Sequence, residues 1–509
     1  MIETLNSIKD WIKRYQNVFF PFLAFFIPFV VRAIPELIMG SYVIGFDTMG
    51  YYVQNTLLWL HNGINWWGFL ATSPLFYAFF VSIVAAGGPS VLVLKIVSPL
   101  LLGFLGLSIY QYSRRGLEWS PIKSVVPALL GTVYFVALRV SWDMLRTELG
   151  LIFLFFALTL LANRKNNSLK NYAFLSLAML AVALSHQLVA LIMFGIFGFT
   201  VAYKLFHKDF VRSIKLIVFS LPAVVFLVIN YLINMNLALL PSGFLDYSVN
   251  SSSPLSTWNS FASYPSMLLS SGGFFLYCFL PLLPLAVLSF RRFGNYQLRS
   301  WLLLSLFLVL FPLAFVSPYR WVLLLMYPIA FYAAETLSRL KSIKWKHFKL
   351  TAQKIAIIYL VLSTSALSFG YIFMTPEKPF VYFDTSYVNK YVNEIPSSML
   401  QNTISISDCQ ATENALQWFK NNVNSSAILL THTAFYSWAL LTLKENQVQN
   451  YAFDDPVNAA NATAQEGYNQ IYLIWWVNGR GWYGQPTLPS SFQAVYQSGE
   501  IAIYSYKSA

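Results

Sequence analysis

Residues 17–52 read NVFFPFLAFFIPFVVRAIPELIMGSYVIGFDTMGYY, an apolar run that passes into a short polar stretch with one acid, Asp47. A helix of about 20 apolar residues crosses the hydrocarbon core of a bilayer, and runs of this length recur as far as residue 373. The chain is 57% hydrophobic and only 10% charged, with a mean hydropathy of +0.56. No small-residue cleavage site follows the first run, which indicates a retained helix and not a signal peptide. The sequence therefore predicts a polytopic α-helical membrane protein.

The net charge of +13 does not indicate a nucleic-acid partner, because 22 of the 33 basic residues lie in short loops between apolar runs. Loops with this bias face the cytoplasm in membrane proteins. We therefore expect a multi-pass protein of the cell membrane with a cytoplasmic N-terminus and no nucleic-acid partner. The clusters begin at Lys9, Arg114, Arg164, Lys204, Arg291 and Arg339.

Placing every basic cluster inside predicts a transmembrane domain over residues 1–374 with about eleven helices. Its first outer loop, 35–89, contains an apolar stretch at 73–88 that we interpret as a re-entrant or interfacial helix. If this stretch crossed the membrane, every later basic loop would lie outside. The predicted spans are 17–34, 90–112, 122–139, 147–163, 171–184, 187–204, 214–235, 273–290, 300–316, 321–338 and 352–373.

The composition becomes polar after residue 374, and acidic residues outnumber basic ones in the tail. Short buried-strand patterns alternate there with helical patterns, which favours an α/β domain. We expect residues 375–509 to form a small extracytoplasmic α/β domain. The predicted strands are 427–432, 471–476 and 501–506, and the predicted helices are 411–422 and 462–468.

The ionisable residues that this topology brings to the outer face form one layer. Charges at membrane depth are costly and usually face a cavity or each other. A carboxylate can act as general base on a hydroxyl, and an arginine can hold a phosphate through charge-assisted bonds. Asp47 is therefore the candidate catalytic base, and Arg320 is the candidate donor-phosphate ligand. The candidate site-lining residues are Asp143, Arg146, Glu148 and His186.

Structural interpretations compete with these roles. Asp47 could cap a helix at the interface, and Asp143 could form a salt bridge with Arg139 or Arg146. An ion pair between Arg146 and Glu148 is the simplest interpretation of those two residues.

The remaining two candidates have structural alternatives of their own. His186 could be a hydrogen-bonded residue of a helical hairpin. Arg320 could extend along the interface to reach water.

The layout resembles the GT-C superfamily of membrane glycosyltransferases, in an archaeal, mannosyltransferase-like form. Three stretches carry the resemblance: GFDTMGYY (45–52), SWDMLRTELG (141–150) and YRWVLLLMYP (319–328). In that order, they match three features of the superfamily: an acid in the first outer loop, an acid in the second outer loop, and an arginine followed by an apolar helix with proline. The resemblance implies a polyprenyl- or dolichyl-phosphate sugar donor, with Asp47 as the catalytic acid residue.

The chain departs from the family pattern in two places. Many members have paired acids in the first loop, whereas Asp47 stands alone with only Glu36 upstream. A metal ligand set is therefore unknown, and a divalent cofactor is left open. WWVNG (475–479) is similar to the WWD-type motif of oligosaccharyltransferases, but Val477 replaces the acid, so we do not assign oligosaccharyl transfer.

The expected function is transfer of a sugar from a lipid-phosphate carrier to a lipid-linked glycan or protein acceptor on the outer face, with inversion. Two other classes are open from the sequence. A transporter or flippase for a lipid-linked glycan would carry polar residues at the bilayer midplane. A non-catalytic membrane scaffold would use its outer domain to bind a surface partner.

Overall fold

The computed structural model describes residues 2–162, 168–237, 264–310, 318–340, 351–384, 395–452, 455–478 and 488–507. Up to residue 373 the described chain is almost entirely helical. The helices of this part are α1 Ile2–Ile38, α2 Gln54–Asn62, α3 Trp66–Ala71, α4 Pro74–Ala85, α5 Ser90–Gln111, α6 Pro121–Val133, α7 Phe135–Asp143, α8 Leu145–Ala162, α9 Leu169–Ser185, α10 Gln187–Phe206, α11 Phe210–Leu237, α12 Tyr264–Phe279, α13 Leu283–Phe290, α14 Tyr296–Leu310, α15 Pro318–Leu324, α16 Met326–Arg339 and α17 Ala352–Phe373.

Seven helices of the described part are long and apolar enough to cross a membrane, or nine if each of two bent pairs counts as one span. Their outward side chains are apolar, as at Phe22, Leu37 and Val211, which are 53%, 77% and 67% exposed. Such a surface is stable only against lipid. With the shorter apolar helices α9 and α14, these spans account for the eleven predicted ones. The polytopic membrane fold is thus confirmed.

Helix α1 packs most closely on α5, and glycine allows this approach. A Cβ atom on Gly106 would lie 2.1 Å from the carbonyl oxygen of Ala24. Small residues let helix backbones approach in membranes, where packing rather than hydrophobic burial drives association. This contact holds the middle of α1 against α5.

Two predicted spans are not single straight helices. The span predicted at 122–139 consists of α6 and α7, which meet at a 56° bend. The span predicted at 273–290 consists of α12 and α13, which meet at a 100° bend, and α12 already begins at Tyr264. Residues 264–272, which fall between the predicted spans 214–235 and 273–290, are therefore helical, and residues 238–263 lie outside the described residues.

The first outer loop is ordered into short helices. A π-helix, Thr48–Val53, leads directly into α2. Asn65 caps α3 by accepting hydrogen bonds from the backbone N–H groups of Trp67 and Gly68, both at 3.1 Å. The predicted re-entrant or interfacial helix is α4, whose 12 residues are short for a membrane span.

The C-terminal part contains a five-stranded sheet with strand order β2-β1-β3-β5-β4. β1 pairs in parallel with β2 and β3, whereas β5 is antiparallel to β3 and β4. The predicted α/β class is confirmed, although helix α19 and strands β2 and β4 were missed. The elements are α18 Ile406–Asn422, β1 Ile428–His432, α19 Thr433–Thr442, β2 Val448–Ala452, α20 Pro456–Gln465, β3 Ile471–Trp476, β4 Phe492–Ser498 and β5 Ile501–Tyr506.

The segment before this sheet is bound to the membrane helices. Ser398 donates to the carbonyl oxygen of Met374, and the backbone N–H of Met399 donates to that of Tyr371 at 2.9 Å. Asn402 donates from Nδ2 to the carbonyl oxygen of Val43 at 2.9 Å. These contacts join residues before and after position 375. The division into domains 1–374 and 375–509 therefore stays a prediction.

His432 ends β1 and is only 5% exposed. Its Nδ1 accepts a hydrogen bond from the backbone N–H of Ala434 at 3.2 Å, and its ring lies 5.2 Å from that of Trp475. Burial lowers the pKa of His432 from 6.5 to about 4. The unfolded chain therefore binds a proton near pH 6.5, whereas the folded chain binds it only near pH 4. The stability that the folded protein gains from a neutral His432 is fully present above pH 6.5 and is lost as the pH falls towards 4.

We expect the full-length protein in detergent to lose about 3 kcal/mol of stability through His432 between pH 7.5 and pH 4, from about 1.4 kcal/mol per pKa unit. The measurement is denaturant unfolding followed by tryptophan fluorescence at both pH values. His432→Asn, which retains an acceptor for Ala434, should have a clearly weaker pH dependence. Equal losses in both proteins would contradict the assignment.

Candidate active site

Asp47 lies where the first outer loop turns from α1 into the π-helix. The turn requires Gly45, whose φ is +100° and where a Cβ atom would lie 2.0 Å from the carbonyl oxygen of Trp142. Asp47 precedes Thr48 but makes no side-chain capping hydrogen bond to the π-helix. The interpretation of Asp47 as a helix cap is therefore wrong, and its carboxylate points elsewhere.

The partner of Asp47 is Arg146 at the start of α8. Arg146 Nη2 lies 3.9 Å from Asp47 Oδ2, and these side chains are 23% and 15% exposed. The Arg146 guanidinium also lies 5.4 Å from the ring centroid of Tyr52. A contact of 3.9 Å leaves the carboxylate room for a shorter hydrogen bond to another group.

Arg146 does not form the expected ion pair with Glu148. Glu148 is fully buried, and neither carboxylate oxygen has a hydrogen-bond partner within the described part of the chain. It interacts electrostatically with Arg32. The site-lining role of Glu148 stays a prediction.

Asp143 forms the predicted salt bridge with Arg139, at 2.5 Å between Oδ1 and Nη1. The backbone carbonyl of Asp143 accepts a hydrogen bond from the hydroxyl of Tyr52 at 2.9 Å. The Asp143 carboxylate also interacts electrostatically with Asp47 and Arg320. Asp143, the acid of the second outer loop, is therefore close to both Asp47 and Arg320.

His186 lies between α9 and α10, as predicted, and its Nδ1 is buried without a hydrogen-bond partner among the described residues. Burial lowers the pKa of His186 well below its usual value, and the charges of Arg146 and Arg320 lower it further. The ring is therefore neutral at physiological pH. Arg320, in α15, has an exposed side chain. We call Asp47, Asp143, Arg146, His186 and Arg320 the Asp47 cluster.

A buried charge network supports the loop of Asp47 and was not predicted. Glu36 is 2% exposed and receives Arg32 Nη1 at 2.8 Å and Lys95 Nζ at 3.5 Å. The backbone N–H of Ile44 donates to Glu36 Oε2 at 3.4 Å, and Lys95 donates to the carbonyl oxygen of Tyr42 at 2.6 Å. The signal was present in the sequence, because Arg32 and Glu36 are four residues apart in an apolar helix.

The segment before the sheet completes the surroundings of the cluster. Trp142 Nε1 donates to the carbonyl oxygens of Met399 and Gln401, both at 3.1 Å. The backbone N–H of Gly45 donates to the same Gln401 oxygen at 3.0 Å. The turn before Asp47, the end of α7 and the C-terminal segment are thus joined at one point.

The cluster does not fit a divalent cation well. Such a cation takes several oxygen ligands, but the carboxylates of Asp47 and Asp143 each face an arginine. Among the described residues there is no group of three His, Cys, Asp or Glu side chains that could hold a metal. We therefore derive no step through a metal.

Comparisons with known proteins identify the fold. The apo structure of ArnT from Cupriavidus metallidurans is similar over 98% of each chain, with a TM-score of 0.52 and 12% identity. ArnT bound to undecaprenyl phosphate gives a TM-score of 0.48, covering 96% of this chain and 97% of that one at 12% identity. No protein-family model and no curated protein matches the sequence.

A third similar structure is the apo oligosaccharyltransferase of Archaeoglobus fulgidus. It has a TM-score of 0.49 and 12% identity, with 92% of this chain and 70% of that chain covered. Likeness at this identity concerns the fold alone. The chain has the fold of apo ArnT, which is the GT-C fold, and its C-terminal part forms a small five-stranded sheet.

Proposed function

We propose that this protein is a membrane glycosyltransferase that moves a sugar from a polyprenyl- or dolichyl-phosphate carrier to a lipid-linked glycan or protein acceptor. The observation that supports this most is the carboxylate of Asp47. It is partly exposed, does not cap the helix that follows it, and meets Arg146 only at 3.9 Å. The Asp143 carboxylate interacts electrostatically with both Asp47 and Arg320, and His186 interacts with Arg146 and Arg320.

In the proposed reaction, Asp47 accepts the proton of the acceptor hydroxyl as the oxygen attacks the anomeric carbon. The bond from that carbon to the phosphate oxygen breaks, and its electron pair leaves with the lipid phosphate. Arg320 stabilises the charge that develops there. Attack opposite the leaving phosphate inverts the anomeric centre.

The other residues would position these two groups. Arg146 would hold the Asp47 carboxylate in place, and Arg139 would neutralise Asp143 beside it. A neutral His186 could accept or donate a hydrogen bond without adding charge. Charged groups gathered at one end of the helices favour a transferase over a transporter, which would need them at the midplane.

We also propose that the Asp47 cluster and the sheet lie outside the cytoplasm. The basic loops support a cytoplasmic N-terminus, and α1 would then end outside. The contacts of Gly45 and Trp142 with Gln401 support a position of the C-terminal domain on the same side.

The test is a transfer assay with purified protein in liposomes that contain dolichyl-phosphate-linked labelled hexoses and a lipid-linked glycan acceptor. A transferase forms a new glycosidic bond that survives extraction. A flippase would move labelled lipid between leaflets without a new bond, and a scaffold would do neither.

Arg320→Gln should raise the KM for the lipid-phosphate donor by about 10- to 100-fold, since a hydrogen bond to a charged group contributes about 1.5–3 kcal/mol. The same transfer assay at varied donor concentration measures the KM for the donor. Arg212→Gln is the matched control, because Arg212 pairs with Asp209 away from the cluster. An unchanged donor KM in Arg320→Gln would remove Arg320 from the mechanism.

A further inference from the structure

A second feature of the membrane part is a groove of about 820 Å³ between α12, α13, α14 and α16. It arises where α13 turns away from α12 by 100° and packs on α16. Its walls are apolar and include Leu302, Leu306 and Ile329. Its volume is in the range of ligand-binding pockets.

The groove opens towards the lipid. Val287 and Leu288 on α13 line it and are 66% and 62% exposed. On α14, Leu303 and Phe307 are each 48% exposed. Exposed apolar side chains on two adjacent helices indicate hydrocarbon and not water at the mouth of the groove.

One end of the groove is strongly basic. Arg291, Arg292 and Arg339 all line it. Arg339 bonds to Glu335 at 2.7 Å, and Lys123 bonds to the same carboxylate. Arg291 and Arg292 are exposed, and neither has an ion-pair partner within the described part of the chain. Among the described residues at this end, four basic side chains accompany the one carboxylate of Glu335, so the end carries a net positive charge.

This basic end is remote from the Asp47 cluster. Arg320 and Arg339 lie near opposite ends of one 21-residue span, Tyr319–Arg339. At a rise of about 1.5 Å per residue, they are separated by about 30 Å along the helix axis. This is about the thickness of the hydrocarbon core, so the groove belongs to the other leaflet.

We propose that this groove binds an anionic phospholipid of the bilayer, with its phosphate between Arg291, Arg292 and Arg339 and an acyl chain along Leu302, Leu306 and Ile329. Basic pockets between membrane helices recognise anionic headgroups, and arginine binds phosphate through paired hydrogen bonds. The site is separate from the proposed donor site and does not depend on the proposed function.

The test is native mass spectrometry of the whole chain in detergent, titrated separately with phosphatidylglycerol, with phosphatidylcholine of identical chains and with polyprenyl phosphate. Wild type should bind phosphatidylglycerol at least tenfold more tightly. The double variant Arg291→Gln/Arg292→Gln should lose at least tenfold in this affinity. Arg115→Gln/Lys170→Gln, which removes the same charge from exposed positions elsewhere, should bind like wild type.

A second variant tests the apolar part without changing the charge. Leu306→Trp fills the groove and should also weaken phosphatidylglycerol binding, with the melting temperature of lipid-free protein as the folding control. Equal binding by wild type and the double variant would overturn the proposal. So would equal affinity for both phospholipids, a preference for polyprenyl phosphate, or a dimer that the double variant abolishes.

Discussion

We expect Asp47→Asn to lower kcat for sugar transfer by about 10²- to 10⁴-fold, which is the usual contribution of a general base. The amide has the shape of the carboxylate but cannot accept the proton of the acceptor. Folding should be preserved, because Asp47 makes no capping hydrogen bond and its contact with Arg146 is long. The measurement is the initial rate of product formation at saturating donor and acceptor.

Asp209→Asn is the control for this experiment. Asp209 is also an acid paired with basic neighbours, Lys204 and Arg212, but it lies in the turn between α10 and α11. It should retain normal transfer. A rate within threefold of wild type for Asp47→Asn would show that Asp47 is not the base.

The second large effect is expected for Glu36→Gln, which should lower the free energy of unfolding by about 3–5 kcal/mol. Removal of one partner from a buried ion pair leaves uncompensated charge in a medium of low dielectric constant. Here Arg32 is fully buried and Lys95 is 14% exposed on its side chain. The measurement is denaturant unfolding in detergent micelles.

Two comparisons make the Glu36 prediction specific. Glu118→Gln changes an exposed acid in the same way and should cost less than about 1 kcal/mol. Adding Lys95→Met to Glu36→Gln should recover part of the loss, because one of the unpaired cations is gone. Failure of Glu36→Gln to destabilise the protein would show that the network does not hold the loop of Asp47.

The positions of the helices could be predicted from apolar runs, but their bends only in part. The 100° bend lies in FLPLLPLA (279–286), and Pro281 and Pro284 are signals that a helix cannot continue undisturbed. The 56° bend lies at Tyr134, which has extended backbone with φ −64° and ψ 143° and no proline directly beside it. Tertiary packing determines the second bend, and no local pattern indicates it.

Five of the six candidate site residues, all but Glu148, could be predicted to belong to the Asp47 cluster, because topology brings the outer turns to one level. The pairing of side chains within the Asp47 cluster could not be predicted. Arg146 has an acid two residues away, Glu148, yet it faces Asp47 on a distant part of the chain. Side-chain direction on α8 decides this, since residues two apart on a helix point in different directions.

The Asp47 cluster also depends on a segment that the sequence does not connect to it. Gln401 accepts hydrogen bonds from Gly45 and Trp142, although the polar composition of this region suggested only a separate outer domain. Contacts of this kind arise from the docking of the C-terminal part on the membrane helices.

A cryo-electron microscopy structure with a non-transferable dolichyl-phosphate-sugar analogue would show directly whether Asp47 and Arg320 act on the donor. We predict that the analogue phosphate lies within hydrogen-bond distance of the Arg320 guanidinium, with the anomeric carbon facing the Asp47 carboxylate. A phosphate bound at Arg291 and Arg292 instead, or a sugar remote from Asp47, would contradict it.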